Sequence, residues 1–197
     1  MSENNFNWGI IGPGRIAGKF AHDLQVVDGA SIYAIASRNE GRGALFAETW
    51  GVDVVYSSYA ELINDPKVDA VYISNPHLYH FDQALLALKA GKPVLCEKPM
   101  TVNAKDTKKL IDTAHENNVF LMEAVWTRYL PVYEKVREWL HNGSIGRIVF
   151  VQSTFGLRFP RDKDDRILNP ALAGGGLLDI GIYNIATAQW IMEADPV

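Results

Sequence analysis

Trp8-Gly9-Ile10-Ile11-Gly12-Pro13-Gly14-Arg15-Ile16-Ala17-Gly18 decides how this chain folds. Trp8 to Ile11 is a short apolar run of strand character that breaks at Gly12 and Gly14, and helical spacing follows at Ile16, Phe20 and Leu24. Strand, glycine turn and helix in that order form the dinucleotide-binding fingerprint, with Ala17 in the third glycine slot. Gly12 permits the tight turn, Gly14 removes a Cβ that would meet a pyrophosphate, and Ala17 lets the helix pack close to the strand. Gly12, Pro13, Gly14, Arg15 and Ile16 are therefore the candidate phosphate contacts, where a helix N-terminus offers amides and a positive dipole end to an anion. A plain glycine-rich turn is the simpler alternative. The next strand pattern, Ala30 to Ala36, argues against it.

The chain has 197 residues, of which 48% are hydrophobic and 21% charged, with a net charge of -4. That composition suits a cytoplasmic globular enzyme of one large or two small domains. Lys and Arg are scattered and the balance is mildly acidic, so nucleic acid is not an expected partner. Met1 to Asn7 lacks an apolar centre and no apolar stretch reaches membrane-spanning length, so neither a signal peptide nor a membrane is expected. The single cysteine, Cys96, makes no internal disulfide and reads as a buried strand residue.

Strand and helix patterns alternate, which predicts an α/β fold: a Rossmann doubly wound parallel sheet. Expected strands are Trp8 to Ile11, Ala30 to Ala36, Asp53 to Tyr56, Val68 to Ser74, Pro93 to Cys96 and Phe120 to Glu123. Helical spacing covers Arg42 to Trp50, Tyr59 to Asn64, Phe81 to Ala90 and Ala104 to Asn117, with Ser58 and Glu61 as a capping box and Asn103 as a cap. This gives a dinucleotide-binding domain at 1–123. After Glu123 the rhythm changes. Pro131 to His141 reads as a helix, Ile148 to Phe155 alternates like a strand, and a last helix runs from about Leu178 to Ile191. The segment 124–197 reads as the incomplete start of an α+β domain, because one strand and two helices cannot cover the strand's edges.

In an open parallel sheet, ligands bind beyond the carboxyl ends of the strands. Lys98 stands there, in Cys96-Glu97-Lys98-Pro99 at the end of the fifth strand, and so points at a bound molecule. Ser74-Asn75-Pro76-His77-Leu78-Tyr79-His80 follows the fourth strand and is placed beside the nicotinamide ribose. Two histidines three apart, without a nearby third ligand, are read as capping or packing groups and not as a metal site. The second strand ends in Ser37 and Arg38, where an acid would bind the ribose 2′-hydroxyl of NAD. A hydroxyl and a guanidinium suit a 2′-phosphate, so NADP is the expected cofactor, with NAD the alternative.

Three motifs in register then carry a family likeness: Gly12-Pro13-Gly14-Arg15-Ile16-Ala17, Cys96-Glu97-Lys98-Pro99 and Gly175-Gly176-Leu177-Leu178-Asp179-Ile180-Gly181-Ile182-Tyr183. The chain resembles the Gfo/Idh/MocA oxidoreductases over essentially its whole length. Met122-Glu123-Ala124-Val125-Trp126-Thr127-Arg128-Tyr129-Leu130-Pro131 looks like the branch containing dihydrodiol dehydrogenases and NADP-dependent xylose dehydrogenases. The resemblance implies a Rossmann domain joined to an α+β domain with a large open sheet. It implies further strands beyond Asp195-Pro196-Val197, which would complete that sheet and give a homo-oligomer its face.

For function it implies hydride transfer between nicotinamide and a secondary hydroxyl or ketone of a sugar, polyol or cyclic diol. Lys98, Asp179 and Tyr183 match catalytic positions; Asn75, Pro76, His80 and Glu97, with Ser74, match cofactor contacts; and a cis peptide is implied before Pro99. Such chemistry needs a proton relay. A phenol can exchange the proton with the substrate oxygen, and an ammonium nearby favours its ionised form. Relatives often carry histidine where Tyr183 stands, so the immediate acid or base stays open between Tyr183 and Lys98. Asp179 lies four residues before Tyr183, which on a helix puts both on one face. Trp126 and Arg128 are candidates to wall and clamp a polyol or diol, against plain core and ion-pair roles. The charged loop Arg161 to Arg166 is read as solvated. A reading of another class also stands: a nucleotide-binding regulatory or interaction protein that keeps the first domain without catalysis.

Overall fold

Six strands form one parallel sheet in the order β3-β2-β1-β4-β5-β6. They are β1 Phe6–Ile11, β2 Ala30–Ala36, β3 Val54–Tyr56, β4 Ala70–Ile73, β5 Val94–Cys96 and β6 Leu121–Glu123. The order reverses between β1 and β4, and this is the switch point at which doubly wound sheets bind ligands. The computed structural model describes residues 5–159, 162 and 165–194, in two compact units that divide between Ala124 and Val125.

Parallel strands need crossovers, and five helices supply them in the first unit: α1 Arg15–Leu24, α2 Glu40–Trp50, α3 Tyr59–Asn64, α4 His80–Lys89 and α5 Ala104–Glu116. Because the strands are covered on both faces, successive residues of one strand enter different cores. Ile10 joins Ala17, Ala21, Ile35, Phe46 and Tyr72 on the side of α1 and α2. Ile11 joins Leu62, Ile63, Ile73, Leu88 and Leu110 on the side of α3, α4 and α5. Gly9 is glycine for the same reason: a Cβ there would lie 2.7 Å from Leu62 Cδ2 and 2.9 Å from Val68 Cγ1. Lys92 closes the loop before β4 by donating to Asp65 O at 2.8 Å and Val68 O at 2.6 Å.

Helix ends follow local chemistry, with one correction. Asn39 and Asn103 cap α2 and α5 by accepting from the amides of Arg42 and Asp106, both at 2.9 Å. Ser58 precedes α3 as expected, yet its side chain makes no capping bond, so the capping box from Ser58 to Glu61 does not form.

The second unit holds α6 Pro131–His141 and α7 Ile182–Met192, the latter preceded by a π-helical segment, Leu177–Gly181. Ile148 to Phe155 is not a strand. The stretch still touches α7 and its lead-in, since Ser153 Oγ donates to Asn184 Oδ1 at 2.8 Å and the Phe155 ring meets Tyr183, while Val149 and Phe150 are exposed. A strand exists only through pairing, and among the described residues of this unit no second strand lies beside it. Among the described residues no helix is long and apolar enough to cross a membrane.

Leu62 fills the gap left by Gly9 and is fully buried. Leu62→Ala should therefore cost about 2–5 kcal/mol of unfolding free energy, read from urea denaturation. A loss near zero would contradict this packing.

Candidate functional site

In the first unit the carboxyl ends of β1, β2, β4 and β5 lie side by side, and backbone hydrogen bonds fix their loops to one another. Gly12 takes φ +94°, a region that L side chains rarely enter. A Cβ on it would also lie 2.9 Å from Asn75 Cβ and 3.0 Å from Asn75 N. Ser74 ties the same two loops, its hydroxyl donating to Gly12 O at 2.8 Å and its amide to Ile11 O at 3.0 Å. Gly14 differs. Among the described residues a Cβ there meets only Ser74 O, at 3.5 Å, which is ordinary contact, so no packing among them requires glycine at that position. Gly14 also caps α1 without a side-chain bond, and the first turn carries no acid, leaving Arg15 and Ile16 at the positive end of the helix dipole.

At the end of β2, Ser37 and Arg38 part company. Ser37 is buried; its hydroxyl donates to Asn39 O at 2.8 Å and shapes the loop. Arg38 is exposed, with its guanidinium 5.0 Å from the Tyr79 ring centre. A second guanidinium joins this corner. Arg42 Nη2 donates to Pro13 O at 3.2 Å, bridging α2 to the glycine turn. The sequence at the second strand's end does not point to Arg42, because its partner Pro13 is distant along the chain.

After β4, the Asn75 side chain donates to Gln83 Oε1, and Asn75 Oδ1 is buried with no hydrogen-bond partner among the described residues. Pro76 is exposed at the tip of this loop. His80 sits behind it, 1% exposed, with Nε2 2.8 Å from Asn75 O and Nδ1 2.9 Å from Pro99 O. Both ring nitrogens thus face backbone carbonyls. Burial pushes the imidazole pKa down, while the two carbonyls pull it up. His80 joins the loop after β4 to the turn after β5, where the Lys98–Pro99 peptide is cis.

In that turn Glu97 accepts from Tyr72 Oη at 2.7 Å and from the Lys98 amide at 3.2 Å. Burial raises the Glu97 carboxyl pKa, against the lowering effect of Tyr72 and Lys98. Glu123, at the end of β6, accepts from the Met100 amide at 2.7 Å. Cys96 is fully buried, and burial pushes its thiol pKa well up, which keeps it inert.

The remaining candidates belong to the second unit. Tyr183 Oη accepts from Trp126 Nε1 at 3.0 Å, and the Trp126 and Phe155 rings meet it edge-on at 6.2 and 5.6 Å. Asp179 is 7% exposed and lies 3.4 Å from Arg166 Nη1. It stands in the π-helical segment, so the four-residue spacing to Tyr183 does not follow α-helical geometry. Of the loop read as solvated, Arg166 is this ion-pair partner, while Arg161, Lys163 and Asp164 lie outside the described residues. Arg128 lines an open cavity of about 540 Å³ with Arg137, His141, Gln189, Trp190 and Glu193.

Residues 6–125 match an oxidoreductase family with an NAD-binding Rossmann fold, GFO/IDH/MocA, and residues 133–197 match the GFO/IDH/MocA C-terminal domain. The chain belongs to the Gfo/Idh/MocA oxidoreductase family. It is 40% identical over 190 residues to a trans-1,2-dihydrobenzene-1,2-diol dehydrogenase of Xenopus tropicalis, covering 95% of this chain and 57% of the relative. It is 39% identical over 212 residues to a D-xylose 1-dehydrogenase (NADP(+)) of Hypocrea jecorina, covering 94% and 52%. Among solved structures, a 3-ketoreductase from Actinomadura kijaniata in complex with NADP and TDP-benzene aligns with a TM-score of 0.82 at 31% identity, covering 96% of this chain and 58% of the other. A probable dehydrogenase from Thermotoga maritima aligns with a TM-score of 0.83 at 30% identity, covering 96% and 56%. The Gfo/Idh/MocA chain described here thus spans a little over half the length of these relatives.

The two glycines should separate in stability. Gly12→Ala is expected to lose about 1–3 kcal/mol to backbone strain and the clash with Asn75, whereas Gly14→Ala keeps close to wild-type stability. Thermal unfolding of both variants checks this; equal losses would contradict it.

Proposed function

We propose that this chain is the nucleotide-binding part and the beginning of the substrate part of an NADP-dependent dehydrogenase/reductase. It acts on a secondary hydroxyl or its ketone in a sugar, polyol or cyclic diol. The observation that carries the reading is the contrast at the glycine turn: Gly12 is required by packing, Gly14 by nothing among the described residues, and an uncapped helix begins beside it. A pyrophosphate over Gly12, Pro13, Gly14, Arg15 and Ile16 accounts for both. The buried, unpartnered Asn75 Oδ1 supports a ligand donor at the same crevice, because such an atom is costly to leave unmatched.

Arg38 and Arg42 are the residues for a ribose 2′-phosphate, and the relatives named above point to the same cofactor. Ser37 orders their loop, its hydroxyl being turned to the backbone. Ser74, Asn75, Pro76 and Glu97 face the nicotinamide ribose, and His80 holds their loops together. A nicotinamide held there would supply or accept the hydride. The chain's own residues must manage the accompanying proton. Tyr183 exchanges it with the substrate oxygen, held in place by the Trp126 N–H. Lys98, in the turn after β5, is the expected catalytic ammonium of the first unit, and Asp179, paired with Arg166, is the expected catalytic carboxylate of the second. Trp126 walls the substrate, and Arg128 clamps it. Val149 and Phe150, exposed in a stretch that forms no strand, offer apolar surface for a homo-oligomer face.

Titration of tryptophan fluorescence with NADPH and NADH tests the cofactor reading. NADPH should bind at least about tenfold more tightly, and Arg42→Ala should erase most of that margin without changing NADH affinity, the mark of a lost charge-assisted phosphate contact. Equal affinity for the two nucleotides would overturn it. Absorbance of reduced nicotinamide, followed across D-xylose, other sugars and trans-diols, tests the reaction. Lys98→Met should abolish turnover while leaving NADPH affinity within a few-fold. Tight NADPH binding with no turnover by the wild type favours the regulatory reading instead.

A further inference from the structure

Tyr72 lies in the middle of the most buried strand, 2% exposed, and still carries a hydroxyl. Parallel pairing sets Tyr72 opposite Leu95 and Ile73 opposite Cys96. Since alternate residues of a strand share a face, Leu95 and Glu97 lie on the face of Tyr72, the one covered by α1. The phenol therefore runs along the sheet surface, under the helix that starts at the glycine turn, and ends 2.7 Å from Glu97 Oε1. Its ring is fixed as well. Phe20 of α1 stacks on it, with ring centres 4.2 Å apart and planes inclined by 25°.

A purely apolar core would use phenylalanine here. A buried hydroxyl is retained at little cost only when it is bonded, and this one meets a carboxylate at the mouth of the crevice. The groups set against Glu97 are Tyr72 from β4, Lys98 and Cys96 from its own segment and Glu123 from β6. Burial and Glu123 favour its protonated form; the Tyr72 hydroxyl and Lys98 favour the carboxylate. The balance matters because only the carboxylate is purely an acceptor, whereas a protonated Glu97 has a hydrogen to place.

We propose that Tyr72 is a positioning residue for the cofactor site, holding Glu97 as an oriented carboxylate that accepts from a ribose hydroxyl of the bound dinucleotide. This rests on the nucleotide reading given above, through the role of Glu97. Tyr72 itself is covered by Phe20 and acts only through its neighbour.

Tyr72→Phe removes the hydroxyl and keeps the ring stack. In the nucleotide-free protein, carbon-13 NMR of labelled glutamate, with Glu97→Gln to assign the signal, should show Glu97 titrating at higher pH in the variant. NADPH affinity should stay within about twofold of wild type at alkaline pH and fall about tenfold below it between the two Glu97 titrations, as expected when one group's ionisation is displaced. In a Glu97→Gln background the same substitution should leave the pH profile unchanged. Should Tyr72→Phe not fold, 3-fluorotyrosine labelling strengthens the donor and should move the Glu97 titration downward. An unmoved Glu97 titration overturns the proposal while leaving the nucleotide reading intact, and so does a moved titration with an unchanged affinity profile. Failure of the wild type to bind NADPH overturns the nucleotide reading and this proposal together.

Discussion

The close approach of the glycine turn to the loop after β4 is the constraint on which the rest of the site depends. Gly12 can take φ +94° and let Asn75 come within the space of its missing Cβ; no other residue does both. Ser74 then bonds across the gap to Ile11 and Gly12. With these two loops locked, the first turn of α1 is aimed at the switch point of the sheet, and Gly14 is left facing the crevice. Each step is local packing, yet together they fix where an anion meets a helix dipole.

Polar groups then carry the same order outward along the strand ends. His80 bridges Asn75 O and Pro99 O, so the loop after β4 cannot drift from the turn that carries Lys98. Tyr72 reaches Glu97 from inside the sheet, and Glu123 holds the Met100 amide from the next strand. Buried networks of this kind matter through what happens when one member is lost, because the partner left behind is desolvated and unmatched. The crevice is accordingly stiff where a ribose and nicotinamide would lie. Its exposed rim, at Arg38 and Pro76, is where side chains have freedom to meet a ligand.

Much of this was legible in the sequence wherever a residue's role is set by its immediate neighbours. All six strands and α1 to α6 lie where hydrophobic period and caps place them, to within two residues at most ends, because strands buried on both faces read as continuous apolar runs. The glycine turn was legible because positive φ narrows the choice of residue. What escaped depends on contacts across the fold. Arg42 looked like an ordinary helical arginine until its partner proved to be Pro13, 29 positions away. Tyr72 read as one more apolar strand residue, since nothing local announces that its hydroxyl meets Glu97. Ser58 failed as a cap although its sequence pattern was right. Ile148 to Phe155 carries the alternation of a strand, yet pairing needs a neighbour that pattern alone does not supply. The π-helical segment at Asp179 was hidden because it spans only five residues, too few for its wider period to show in the apolar spacing.

The most direct test of the central claim is an amide proton–nitrogen shift map of the chain as NADPH is added. A dinucleotide lying over the glycine turn predicts the largest perturbations at Gly12, Gly14, Arg15 and Ile16, then at Arg38, Arg42, Ser74 and Asn75, with the Arg137 and His141 amides hardly moved. Perturbations centred on Arg128, Arg137 and His141 with a silent glycine turn would contradict the account.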